Sequence, residues 1–376
     1  MTIKEIIVTN DFLFHEDHNH NWLLELLSRT ICKVSNLKIE TLQNEIVDGL
    51  CFSRSEFWAR SKKSFQGNYS TYNISDISEE SETYLLKYLS SETLVLGVEL
   101  GLDFRCLLDK HGIPFINFWF HPYKLLDDAM LLLNTNMKKV FDAFQEFRVE
   151  ESKLYGYADY FRVKSKRQGN VPHLIPNSCL FVGQTYKDMS IYDGKKYLKI
   201  TDFKDKIDEI KLRYSHLYYS FHPMAGYDKD VDFFIEDDDF ITPIEGNIYE
   251  ILSSDNISKV VAISSSVVYE AQYFDKESEY LYRPLFDIDT DFGINSFVSI
   301  YNDWFSEYFW SKVFIALGMD VPLPRRAQLF YNEKNKLRDL IGLYYAYDKF
   351  DSVKVLEKKL IDRQKSGGGE ISNIFT

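Results

Sequence analysis

Residues 179–190 read CLFVGQTYKDMS. An apolar run, Cys179 to Val182, stops at Gly183, and a polar loop follows with Gln184, Thr185, Lys187 and Asp188. This is the pattern of a buried parallel strand that delivers polar side chains at its carboxyl end, where open α/β sheets bind ligands. Two later segments have the same form. LYYSFHP ends in His222-Pro223, and KVVAISSSVVYEA runs into Ser264-Ser265-Ser266, followed by a helical pattern containing Glu270. Three strand ends with complementary polar groups predict one site.

Working outward, the chain alternates strand and helix patterns. Ile3 to Thr9 is a strand candidate, and Trp22, Leu23, Leu26, Leu27 and Ile31 form a helical stripe. Glu92 to Leu100 and PFINFWF (114–120) read as buried strands around a helix at Phe104–Lys110, and His121-Pro122 closes the second. A long helix is expected from about Leu125 to Phe147. Residues 164–177, KSKRQGNVPHLIPN, are polar with two prolines and read as a linker. The second half restarts with the strand at 179–183 and continues with strands at 217–221 and 259–263 and helices near 203–213, 247–253 and 266. From Ile294 onward the pattern is helical, broken at Pro322-Leu323-Pro324. Such alternation indicates parallel sheets with crossover helices. The expected fold is α/β and GT-B-like: two Rossmann-like domains, 1–165 and 178–376, facing a central cleft, with terminal helices that pack back on the first domain.

Composition narrows the function. The 376 residues suit two domains, and 45% hydrophobic with 27% charged content suits globular ones. Forty-four basic against 57 acidic residues, a net charge of −13, argue against a nucleic-acid groove, which needs clustered positive charge. The 26 Tyr, 29 Phe and 5 Trp fit either aromatic cores or rings lining a sugar cleft. Four cysteines without CxxC spacing suit a reducing cytosol. MTIKEIIVTND lacks the charged and apolar regions of a signal peptide, and no apolar stretch nears the roughly 20 residues that span a bilayer. A cytoplasmic protein is expected, with peripheral association at the inner face of the bacterial inner membrane.

A histidine held by a proline turn, His222-Pro223, can donate to a phosphate; alone it is equally a capping histidine. Ser264 to Ser266 at a strand-to-helix junction offers an anion site or an ordinary N-cap. Glu270 returns to the face of Ser266 one turn later and can accept from ribose hydroxyls. Asp188 can be a base or nucleophile toward an anomeric carbon, or a turn former. His15, Asp17, His18 and His20, EDDD at 236–239 and DIDTD at 287–291 read as solvated loops, so no metal site is expected.

Together these residues resemble the bacterial retaining β-Kdo glycosyltransferases of capsule and O-antigen (lipopolysaccharide) biosynthesis. The resemblance rests on the loop Gln184-x-x-x-Asp188, on His222-Pro223, on Ser265-Ser266 with Glu270, and on the passage Glu99 to Asp128, ELGLDFRCLLDKHGIPFINFWFHPYKLLDD. It spans about residues 90 to 280. Capsule-type members often carry an acidic residue before the glutamine, where this chain has Gly183.

The resemblance implies transfer of Kdo from CMP-Kdo with retention, Asp188 attacking the anomeric carbon, Gln184 orienting it, and His222, Pro223, Ser265, Ser266 and Glu270 holding CMP without a metal. Glu99 and Asp103 are then expected on the acceptor side. Arg105, Lys187 and Arg283 are candidates for the Kdo carboxylate. The implied partners are a CMP-sugar donor and a lipid-linked oligosaccharide or polysaccharide acceptor, with no nucleic acid; the chain is compatible both with a separate enzyme and with one module of a larger multidomain glycosyltransferase. His-Pro and paired serines also occur in CMP-sialic acid-dependent sialyltransferases, which remain an alternative, as does a non-catalytic glycan-binding module.

Overall fold

The computed structural model describes residues 3–13, 21–42, 52–61, 77–186, 188–222, 225, 228–284, 286–326 and 335–341. Among these, the strands in chain order are β1 (Glu5–Asn10), β2 (Ile39–Thr41), β3 (Thr93–Val98), β4 (Phe115–Phe120), β5 (Leu131–Thr135) and β6 (Ser178–Val182). They continue with β7 (His216–Ser220), β8 (Ile241–Pro243), β9 (Ile257–Ala262), β10 (Glu277–Tyr280), β11 (Asp287–Ile288) and β12 (Ser296–Ile300). The fold is mixed α/β with two sheets. The chain divides into two compact units. Unit 1 comprises Met1–His121, Ala129–Val149 and Phe286–Lys334; unit 2 comprises Pro122–Asp128, Glu150–Leu285 and Asn335–Thr376.

Unit 1 holds a sheet in the order β11-β12-β5-β4-β3-β1-β2. Strands β2, β1, β3 and β4 are parallel, whereas β5 runs antiparallel to both β4 and β12. The strand order reverses between β1 and β3, because the chain goes from β1 outward to β2 and later from β3 outward to β4.

Two helix expectations fail in this unit. Residues 125–147 are not one helix: Leu131–Thr135 is a fully buried strand, and the helix is confined to Lys138–Gln145. A run of three leucines suits a buried strand as well as a buried helix, and the ladder to β4 decides. Likewise Ser296–Ile300 is a strand, with Val298 opposite Leu133, and helix resumes only at Glu307–Ala316, where Ser306 Oγ accepts from Phe309 N–H at 3.1 Å.

Unit 2 holds an all-parallel sheet in the order β10-β9-β6-β7-β8. Its crossover helices are Lys204–Arg213, Lys229–Glu236, Ile248–Leu252 and Val267–Ala271. Cys179, Phe181, Leu217, Tyr219 and Val261 lie in one buried core on which the partly buried Tyr186 and Phe221 pack. Here the order reverses between β6 and β9, and the crevice outside such a reversal is where doubly wound sheets bind ligands. The expected linker begins inside a helix: Glu151–Gln168 runs through residues 164–168 and ends at Gly169, whose φ of +72° favours glycine.

Candidate functional site

The three strand ends read from the sequence meet at the unit 2 reversal. Gln184 leaves β6 and Ser264 leaves β9, and the Ser264 N–H donates to Gln184 Oε1 at 2.7 Å across the gap between those strands. Gln184 Nε2 donates to Ser190 Oγ at 3.0 Å, and Ser264 Oγ donates to the Ser190 carbonyl at 2.9 Å. Ser190 N–H in turn donates to Asp188 Oδ1 at 2.8 Å. One amide side chain therefore ties together both strand ends and the loop that carries Asp188. Asp188 is a turn former here, through Oδ1, while its charge acts on His222.

His222 follows β7 and is half-buried. Burial holds its imidazole below the usual histidine range; the nearby Lys124 charge pushes the same way and Asp188 opposes it. Its ring is therefore neutral at neutral pH and offers one N–H donor rather than a positive charge. Glu270 is fully buried. Its Oε1 accepts from the Lys124 backbone N–H and from the Tyr249 hydroxyl, both at 2.9 Å, and its Oε2 has no hydrogen-bond partner. Desolvation raises its pKa to about 7, against the pull of Lys124 and of those two donors.

The serine run differs from expectation in one respect. The helix it opens, Val267–Ala271, has five residues, and Ser266 makes no side-chain cap bond. A single turn sums few peptide dipoles, so its N-terminus is a weak anion site. Ser265 Oγ accepts from Val267 N–H at 3.4 Å, and Ser266 Oγ accepts from Lys124 Nζ at 3.3 Å.

Gly183 now has a physical explanation. A Cβ built there would lie 2.8 Å from the Tyr219 hydroxyl and 3.1 Å from the Ser220 carbonyl oxygen. Tyr219, stacked on Phe181, occupies the space that an acidic side chain would need.

Unit 1 has its own reversal, between β1 and β3, and Asp11 and Glu99 follow those two strands. Asp11 is buried, with Oδ1 accepting from Leu13 N–H at 3.0 Å and Oδ2 from Gly101 N–H at 2.7 Å. Desolvation lifts its pKa to about 7; the two N–H donors counter this, and the Asp103 charge adds to it. Glu99 adopts φ +53°, a left-handed conformation that costs a residue with a Cβ about 1 kcal/mol. The turn is held on every side. Glu99 N–H donates to Phe118 O at 2.8 Å, and the Asn117 amide exchanges two hydrogen bonds with the Leu100 backbone at 2.9 and 3.2 Å. Burial raises the Glu99 carboxyl above its usual range.

Of the carboxylate-binding candidates, Arg105 is committed elsewhere. It is buried in unit 1, donates to Asn134, Asn295 and the Ile294 carbonyl, and lies over the Phe297 ring. Arg283 is exposed and stacks on Tyr282 at 4.9 Å. Lys187, Pro223 and the His15–His20 loop lie outside the described residues. Of the acidic runs, Asp289 accepts from Ser299 N–H and Oγ, and Asp238 pairs with Lys211. Among the described residues, no group of three or more His, Cys, Asp or Glu could hold a metal ion, and no helix is long and apolar enough to cross a membrane. Sequence reasoning missed Lys124 and Asp11.

The two sheets, each with an order reversal and polar groups at the adjoining strand ends, define an α/β protein. In structure it is similar to two β-Kdo transferases of Thermosulfurimonas dismutans KpsC. To the beta Kdo 2,7 transferase it has a TM-score of 0.39 and 13% identity, over 90% of this chain and 88% of that one. To the beta Kdo 2,4 transferase it has a TM-score of 0.30 and 16% identity, over 54% of this chain and 72% of that one. No family model matches the chain, and no curated protein sequence matches it.

Proposed function

We propose that this chain is a glycosyltransferase of the GT-B type that moves Kdo from CMP-Kdo to a surface polysaccharide acceptor, with retention as β-Kdo. The observation that carries the proposal is the convergence at the unit 2 reversal. Gln184 is bonded to Ser264 across the sheet, with Asp188 on the same loop and electrostatically coupled to His222.

In the first step Asp188 Oδ2 attacks the anomeric carbon while Oδ1 stays on the Ser190 N–H, the carbon–oxygen bond to CMP breaks, and CMP leaves with the bonding pair. In the second an acceptor hydroxyl displaces the aspartate, and its proton passes to a base. The leaving phosphate is already a stable anion, so stabilising its charge matters more than protonating it. The neutral His222 ring donates to it, Ser265 and Ser266 add hydroxyls, and Glu270 Oε2 accepts from the ribose. CMP binding is expected to persist in EDTA.

Incubation with CMP-Kdo and, separately, CMP-sialic acid, followed by CMP release, tests the proposal. Release from CMP-Kdo alone supports it. Release from CMP-sialic acid alone makes the chain a sialyltransferase, and release from neither, with no CMP binding, removes the catalytic reading.

A further inference from the structure

Unit 2 includes a short strap, Pro122–Asp128, that arrives directly from the end of β4. The strap is fixed at several points. The buried Arg338 guanidinium donates to the carbonyls of Lys124 (2.8 Å) and Leu126 (3.1 Å), and Arg338 is itself braced on Asn335 Oδ1 at 2.7 Å. The Asp128 carboxylate accepts the Leu337 and Arg338 backbone N–H groups, and the Tyr123 hydroxyl donates to the Leu154 carbonyl. The Lys124 N–H closes the set on Glu270.

So much backbone anchoring places one side chain. Lys124 Nζ reaches Ser266 Oγ at 3.3 Å, and its charge is felt at both His222 and Glu270. Among the described residues of this site, the helix behind Ser266 is a single turn and the His222 ring is neutral, so neither adds a full positive charge. Glu270 is buried with one carboxylate oxygen unpartnered.

We propose that Lys124 is a phosphate-binding cation of this site and holds the phosphate of the nucleotide jointly with the Ser266 hydroxyl. The proposal deepens the function argued above and rests on it. It assigns the charge to a residue that the chain brings in from outside the strand ends. A phosphate and a sugar carboxylate would both attract an ammonium group; the position beside Ser266 and His222 favours the phosphate.

The test compares CMP with cytidine, which lacks the phosphate, by calorimetry at low and moderate salt. Lys124→Met should weaken CMP binding about 10- to 100-fold and leave cytidine binding unchanged, the scale of a lost hydrogen bond to a charged group. The salt dependence of CMP binding should fall in the same variant. The Glu270 contact uses the Lys124 backbone, so the substitution preserves it, and Lys124→Gln with a matched thermal unfolding curve guards against a folding defect. Unchanged CMP affinity in both variants overturns the proposal. Unchanged CMP affinity with a raised KM for CMP-Kdo overturns it in favour of the sugar carboxylate. A wild-type protein that binds no CMP defeats the functional proposal, and this one with it.

Discussion

The two strand-order reversals are built alike and charged differently. In unit 1 the gap between β1 and β3 is bridged by a carboxylate, Asp11 to the Gly101 N–H. In unit 2 the gap between β6 and β9 is bridged by a neutral amide, Gln184 to the Ser264 N–H. Each side chain satisfies a backbone donor that follows the neighbouring strand. The charges of Asp103 and Arg105 both act on Asp11, in opposite directions, and Glu99 follows the adjoining strand. At the unit 2 reversal Gln184 bonds Ser190 and Ser264, the charges of Lys124 and Asp188 both act on His222, and Glu270 lies buried behind Lys124. The same topological device thus carries a charged bridge in one unit and a neutral one in the other.

The largest expected effect tests whether unit 2 is the reactive side. Asp188→Asn keeps an oxygen for the Ser190 N–H, so the loop and the CMP affinity should survive while turnover falls by about 10⁴-fold. Wild-type protein given CMP-Kdo without acceptor should gain the mass of one Kdo on the Asp188 peptide. An Asn variant with full activity would reduce Asp188 to its turn-forming role and remove the chemical contrast between the crevices.

Next in size is the titration of Glu270. Its folded pKa, about 7, lies above the unfolded value near 4.5, so the native state binds the extra proton. Stability from this group is fully present below about pH 4.5 and is lost as pH rises through 7. Glu270→Gln, which keeps Oε1 for Lys124 and Tyr249, should flatten that slope. It should also raise stability at pH 8 by an amount on the order of 3 kcal/mol in urea unfolding. An unaltered pH profile would mean that Glu270 is charged in the fold.

His222→Ala should weaken CMP binding by about 1.5–3 kcal/mol. If calorimetry shows no change, the histidine only caps its turn. The smallest effect belongs to unit 1. Glu99→Gly relieves the left-handed conformation at φ +53° and should stabilise the protein by up to about 1 kcal/mol, read from urea unfolding. A destabilised Glu99→Gly variant would show that the carboxylate supports the fold.

The strand ends were legible because each carries its polar groups immediately after an apolar run: Val182 to Gln184, Ser220 to His222, Ala262 to Ser264. Their mutual bonding was not, since Gln184 and Ser264 are 80 residues apart and only the sheet order makes them neighbours. Lys124 was hidden for a related reason. It follows β4 of unit 1 directly, yet the strap delivers it to unit 2. Repetition of a dipeptide was no guide either. His222 faces the crevice groups, whereas the His121 ring is buried against Ser299 Oγ at 3.0 Å. Strands β5 and β12 read as helices because their apolar runs lack a clean period of two when both faces are covered.

The place of β12 bears on how the protein is made. β12 pairs with β5 in the unit 1 sheet, yet it is synthesised only after all of β6 to β10. At ribosomal speed β5 therefore waits on the order of ten seconds with an open edge. During that interval its backbone donors and acceptors, beside Leu131 to Leu133, are a template for any other extended chain nearby. Shielding of this edge during synthesis is thus a condition on the yield of folded protein separate from its final stability.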